Sequence, residues 1–229
     1  MPTLNLLYKQ SYPINQQISI QIPKVGEILE CEDEYFGMVS MITSMPIDMM
    51  VQLDDIGIDF TTINEWELFL MLFGSLKERN TSLIFGDLDL SKFVPAVNPQ
   101  NNNIVLIDKD SGAKIDRAIH GQIAAILRKI HHLEQNNRKP ANGEAKEYMI
   151  HRARQKMKRM KNKKLDSRLE ELIVALVNTE QYHYGFEGTR ELSIYQFNES
   201  VQQVIKKVNY DNRMHGVYSV SYTHLRAHE

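Results

Sequence analysis

The chain has 229 residues, with 27 lysines and arginines against 29 aspartates and glutamates, and one cysteine. The near-balance of charge leaves no global field to draw the protein onto nucleic acid or a membrane surface, and a lone cysteine excludes a disulfide framework and fits a reducing compartment. Hydrophobic residues make up 42% of the chain and charged residues 24%, which is ordinary for a globular protein, while the longest apolar run, in LFLMLFG (68–74), is far too short to cross a bilayer.

The N-terminal MPTLNLLYKQ has no apolar core of signal-peptide length, so a cytosolic location is expected. ISIQIP (18–23) alternates apolar and polar residues, as a half-buried strand does. LNLLY is its expected partner across SYPINQ. A helix is predicted over EDEYFGMVSMITSMP: Met38, Met41 and Met45 recur at helical spacing with Tyr35 and Ile42 on or near the same face. Glu32, Asp33 and Glu34 suit its positive end, and Pro46 should stop or kink it. Cys31 lies beside Glu30, Glu32 and Asp33, which disfavours a thiolate. IDMMVQLDDIG reads as a short helix with Gly57 as its cap. Thr62 and Glu65 have capping-box spacing before a helix with Trp66, Phe69, Leu70 and Phe73 on its apolar face. TSLIFGDLDLSKF reads as a strand or turn, VNPQNNN as a loop, and IVLIDKDSGAKID as two short strands around a turn.

The second half is helical in pattern. DRAIHGQIAAILRKIHHL turns Ile119, Ile123, Ile126 or Leu127, and Ile130 inward. After the loop EQNNRKPANGEAK comes a helix near 144–164, with eight cations between Arg152 and Lys164: Arg152, Arg154, Lys156, Lys158, Arg159, Lys161, Lys163 and Lys164. Met149, Ala153, Met157 and Met160 form a stripe along it. LDSRLEELIVALVN presents Leu169, Leu172, Ile173, Leu176 and Val177. ELSIYQFNESVQQVIKKV, capped by Ser193 and Gln196, presents Phe197, Val201, Val204 and Val208. The fold class is therefore α+β, mostly helical, with a small N-terminal antiparallel sheet and a helical C-terminal half. The expected division is an α+β domain over 1–100 and a mainly helical region over 101–218, with soft boundaries at 97–103 or 136–143.

Little in the sequence has the spacing of a catalytic or metal site. Asp87 and Asp89 in GDLDL would share a face of a strand and could hold a divalent cation; the plainer reading is the polar face of an edge. His131 and His132 are adjacent on a helix and diverge by about 100°, so one ion cannot easily take both. His151 and His183 are isolated. There is no zinc spacing, phosphate loop or serine elbow. No catalytic, cofactor-binding or metal-ligating residue is assigned, no cofactor is expected, and the chain is expected not to be an enzyme. The basic helix is the unusual feature. Like charges so close repel, so it is either a solvated helix packed by its Met stripe, a site for an acidic protein, or a site for nucleic-acid phosphate. No aromatic residue interleaves its cations, which weakens a stacking platform for single strands.

SVSYTHLRAHE, residues 219–229, resembles a translated transposase-tagmentation sequencing adapter, codon for codon. It is set aside as a scar. His224 and His228 are then no ligands, the native chain is expected to run only to about Tyr218, and its true C-terminus is missing. A shotgun-assembled sequence is the natural origin of such a scar.

KVGEILECEDEYFGMVSMITSMPIDMMVQLDDIGIDFTTINEWELFL, followed by SLIFGDLDLSKF, resembles the N-terminal region of tail-assembly-chaperone-like proteins of tailed bacteriophages of Firmicutes. LEELIVALVNTEQYHY with ELSIYQFNESVQQVIKKVNYDNRMHGVYS is similar to their C-terminal region. The resemblance implies a non-enzymatic protein that binds the tape-measure protein during tail morphogenesis and is not part of the mature virion. It carries no catalytic residues. The expected contacts are Met38, Met41, Met45 and Met49, with Arg152, Lys156, Arg159 and Lys163 of the basic helix; a homo-oligomer is a further alternative. The competing readings are a nucleic-acid-binding accessory protein acting through 152–164, and a metal-dependent enzyme at Asp87 and Asp89.

Overall fold

The structure, a computed structural model, describes residues 5–99, 102–161 and 168–226, with side chains to 160 and 214 in the helices that end the last two stretches. It is an α+β fold, mostly helical, with a two-stranded and a three-stranded antiparallel sheet. Strand β1 (Ser11–Pro13) pairs with β2 (Ser19–Gln21). β2 lies within the expected strand, but its partner is the SYP stretch. Leu6 is buried outside the ladder instead. Asn15 sets this register, because its side-chain oxygen accepts from the Gln17 and Ile18 amides and closes a tight turn.

Helix α1 (Val25–Leu29) follows, then α2 (Glu32–Thr43) with its acidic first turn. α2 buries Tyr35, Met38, Val39 and Ile42. A 3-10 turn, Pro46–Met49, has the expected proline at its start and leads into α3 (Met50–Asp55). Gly57, at φ +75°, reverses the chain after α3. α4 (Glu65–Leu76) begins two residues later than Thr62 suggested. Its cap is Asn64, whose side chain accepts from the Glu67 amide while Glu67 accepts from the Asn64 amide. That leaves Glu65 free for another contact. Trp66, Phe69 and Phe73 are buried as expected, with Leu70 at the edge of the core.

The SLIF stretch forms α5 (Ser82–Phe85), a single turn, and Leu90–Lys92 forms a 3-10 turn; neither is strand. The three-stranded sheet is β3 (Phe93–Val97), β4 (Ile104–Asp108) and β5 (Lys114–Ile115), in that order across the sheet. The loop at 97–103 thus closes a β3–β4 hairpin, and one core draws residues from both sides of it. Pro95 sits mid-way along β3, an outer strand, where a residue without an N–H is tolerated.

α6 (Arg117–Ile130) packs across α2, capped by Asp116, which accepts from the Ala118 and Ile119 amides. α7 (Gly143–Lys161) is the basic helix. It lies on α3, over a smaller second core of Ile47, Leu53, Phe60, Leu68 and Ile150. α8 (Arg168–Val177) buries Leu169, Ile173 and Leu176, but Leu172 is exposed. α9 (Phe186–Glu191) has no signal in the periodicity. It is held through α1 and by the bridge between Lys24 and Ser193. α10 (Ile194–Arg226) opens with the expected Ser193–Gln196 capping box. It buries Phe197, Val201 and Val204 and then leaves the core, so that Val208 is exposed. The helical backbone continues through 219–226, and 227–229 lie outside the described residues. Extending a helix already begun costs little per residue, so that continuation gives the stretch no role.

Candidate functional site

The candidate surface is built on α7. Its Met149 and Ile150 pack in the second core, and α7 lies on α3. Three ion pairs fix it there. Arg154 donates to Asp54 at 3.0 Å and to Asp55, and Lys146 donates to Asp59 at 2.8 Å. The Lys146 ammonium and two hydrogen bonds from Thr61 lower the Asp59 carboxyl to a pKa of about 2.

Arg152, Lys156, Lys158 and Arg159 are exposed. Arg152, Lys156 and Arg159 recur at i, i+4 and i+7, and so form one ridge. With Met50, Tyr148, Met149 and Ala153 they line a groove of about 630 Å³. Arg152 lies over the Tyr148 ring, 5.7 Å from its centroid. Arg152, Lys156, Lys158 and Arg159 have no carboxylate partner among the described residues. Lys163 and Lys164 lie outside the described residues. One turn past Ala153 the apolar stripe is uncovered: Met157 is 37% exposed and Met160 43%.

The four methionines expected to make one docking face divide between two places. Met38 is fully buried and Met41 is packed at the edge of the main core, so neither presents an open face. The cause is their position on α2, whose inner side meets α6 and α4. Met45 and Met49 lie against the second core together with Met50 and Met149. The Met-rich segment and the basic helix are therefore packed on one another.

The weaker candidates resolve individually. Asp89 caps the 3-10 turn, accepting from the Ser91 amide, and the Ser91 hydroxyl followed by that amide lowers its pKa. Asp87 and Asp89 do not share a strand face, because no strand forms there. Among the described residues no three His, Cys, Asp or Glu side chains are grouped to hold a metal ion. Burial, then Glu34 and Glu30, push the Cys31 thiol up. His131 and His132 lie past the end of α6, not on it as expected, with His131 as the C-cap and His132 at φ +52°: His131 bonds the Tyr35 hydroxyl at 3.0 Å, and His132 stacks on Tyr195 near Glu199.

One buried group had no distinguishing sequence signal. His120 stacks on Phe69 at 4.2 Å between centroids, and its Nε2 meets the Ile42 carbonyl at 3.1 Å. Burial holds both His120 and His131 down to a pKa of about 4. Each is a neutral histidine joining α6 to α2. Beside them Arg128 donates to the Thr43 carbonyl and to Glu65.

No helix among the described residues is long and apolar enough to cross a membrane. No protein-family model matches the chain, and no curated protein or solved structure is significantly similar to it.

Proposed function

We propose that the chain is a non-enzymatic, tail-assembly-chaperone-like bacteriophage protein that holds the tape-measure protein during tail morphogenesis. It acts in the host-cell cytoplasm and is not carried into the mature virion. The observation that supports this reading is the uncovered apolar face of α7, where Met157 and Met160 are exposed in line with a face already packed on helix α3. A helix that leaves its own core with an apolar stripe uncovered suits a helical partner, and methionine adapts to partners of varied shape. The sequence resemblance supplies the class of that partner. Co-expression tests the proposal. The tape-measure protein of the same genome should become soluble and co-purify with this chain. Equal solubility with and without the chain, and no co-purification, would refute it. Mass spectrometry of purified virions should find the chain absent.

Nucleic acid is the second reading, favoured by the unpaired cations of α7. Its affinity would fall steeply with salt. One feature opposes it: Arg154 is already neutralised by Asp54 and Asp55.

A further inference from the structure

We infer that the groove between Met50 and α7, continued by the overhanging end of α7, docks an acidic amphipathic helix of a protein partner. The inference deepens the binding role proposed above and rests on it. Two independent observations name the occupant. The first is charge. The cations of α7 that face the body, Lys146 and Arg154, are neutralised within the chain, whereas those on the outward ridge, Arg152, Lys156 and Arg159, are not. An opposing row of Glu or Asp at the same i, i+4, i+7 spacing would meet all three from one helix face.

The second is continuity with an interface the chain already makes. Met149 and Ile150 show how α7 receives a neighbouring helix, and the same stripe runs on through Met157 and Met160, which are exposed. α7 is about 28 Å long and α3 about 9 Å, so α3 can cover only part of it. A partner helix lying beyond the end of α3 would place its apolar stripe on Met50, Met157 and Met160 and its acidic row along the ridge. A phosphate backbone would use the ridge and leave the methionines idle.

The test uses the full chain and a fluorescent peptide of about 20 residues, long enough to hold helix, with a leucine stripe and a glutamate row at the ridge spacing. Controls are the same peptide with glutamine in that row and a duplex DNA of similar length. The wild type should bind the glutamate peptide about tenfold more tightly than the glutamine peptide, and R152E/K156E/R159E should lose about that factor. M157S/M160S should also lose affinity. All variants should keep the wild-type unfolding midpoint, and the milder K156Q/R159Q should lose part of the affinity. Equal binding by the triple variant, equal binding of the glutamine peptide, or tighter binding of DNA through the same residues would each overturn the inference. If the triple variant still retains the tape-measure protein and the wild type ignores the peptide, this surface is wrong and the assembly role stands. Peptide binding without tape-measure retention gives the reverse.

Discussion

The Arg128 guanidinium and the Glu65 carboxylate meet across the α4–α6 contact, with side chains only 11% and 19% exposed. The same guanidinium donates to the Thr43 carbonyl at the end of α2. One cation thus ties three helices. Removing one member of so buried a pair strands the other charge. Arg128→Ala should therefore cost about 3 kcal/mol in urea unfolding. The double variant R128M/E65L should cost less than the sum of its single changes, because it strands neither. Additive losses would show that the pair is not a unit.

The two neutral histidines of the α2–α6 contact make stability depend on acid. Both have a pKa near 4 in the folded protein, below the ordinary value of 6.5. Between those limits the unfolded chain binds more protons than the folded one, so stability falls as pH drops through that window and is level above it. Each histidine accounts for up to ~3 kcal/mol at pH 4. The unfolding midpoint followed from pH 8 to pH 4 should show the loss. His120→Gln should flatten the profile below pH 6.5 even if it lowers stability at pH 7. An unchanged slope in that variant would exclude His120 as the source.

Arg154 holds α7 to the end of α3, but its side chain is 38% exposed. Exposed pairs contribute little to global stability, so Arg154→Ala should lower it by under about 1 kcal/mol. The local effect should be larger. Amide exchange in 143–160 should speed up several-fold while α6 is unaffected, and D54N/D55N should reproduce this. Unaltered exchange would mean that the apolar contact alone fixes α7.

Gly86 has φ +64°, and a Cβ there would lie 2.8 Å from Gln21 Nε2. Gly86→Ala should cost about 1–2 kcal/mol, from the left-handed backbone together with the clash. Adding Gln21→Ala should recover the clash and leave the backbone cost. Thermal unfolding of the three variants separates the two.

The long amphipathic helices were legible because apolar residues at 3.6-residue spacing can hide only on one helix face. α6 and α10 lie where Ile123, Leu127, Phe197 and Val201 indicated. The short elements were not legible. FEGTRE has no apolar period, and α9 is packed on α1 at Gly26, where a Cβ would lie 3.3 Å from the Arg190 carbonyl oxygen. That is a tertiary cause with no local trace. The same limit applied to the candidate surface. Eight cations in a row are visible in the sequence, but the pairing of Arg154 with Asp54 and Asp55 is a long-range contact. Met38 and Met41 differ by three positions, and only the packing of α2 against α6 and α4 shows that both belong to the main core. Val208 continues a buried stripe in sequence and is exposed because the core ends at Val204.

Pro95 carries a last consequence. β3 borders the sheet, and a proline in its middle leaves a gap in the row of backbone donors along that border. A foreign strand, or the same strand of another molecule, finds no continuous template on which to grow. Under the proposed role this sorts the protein's contacts by kind. A partner chain with loose extended segments gains no hold on the sheet, and only a segment already wound into helix meets a surface that fits it.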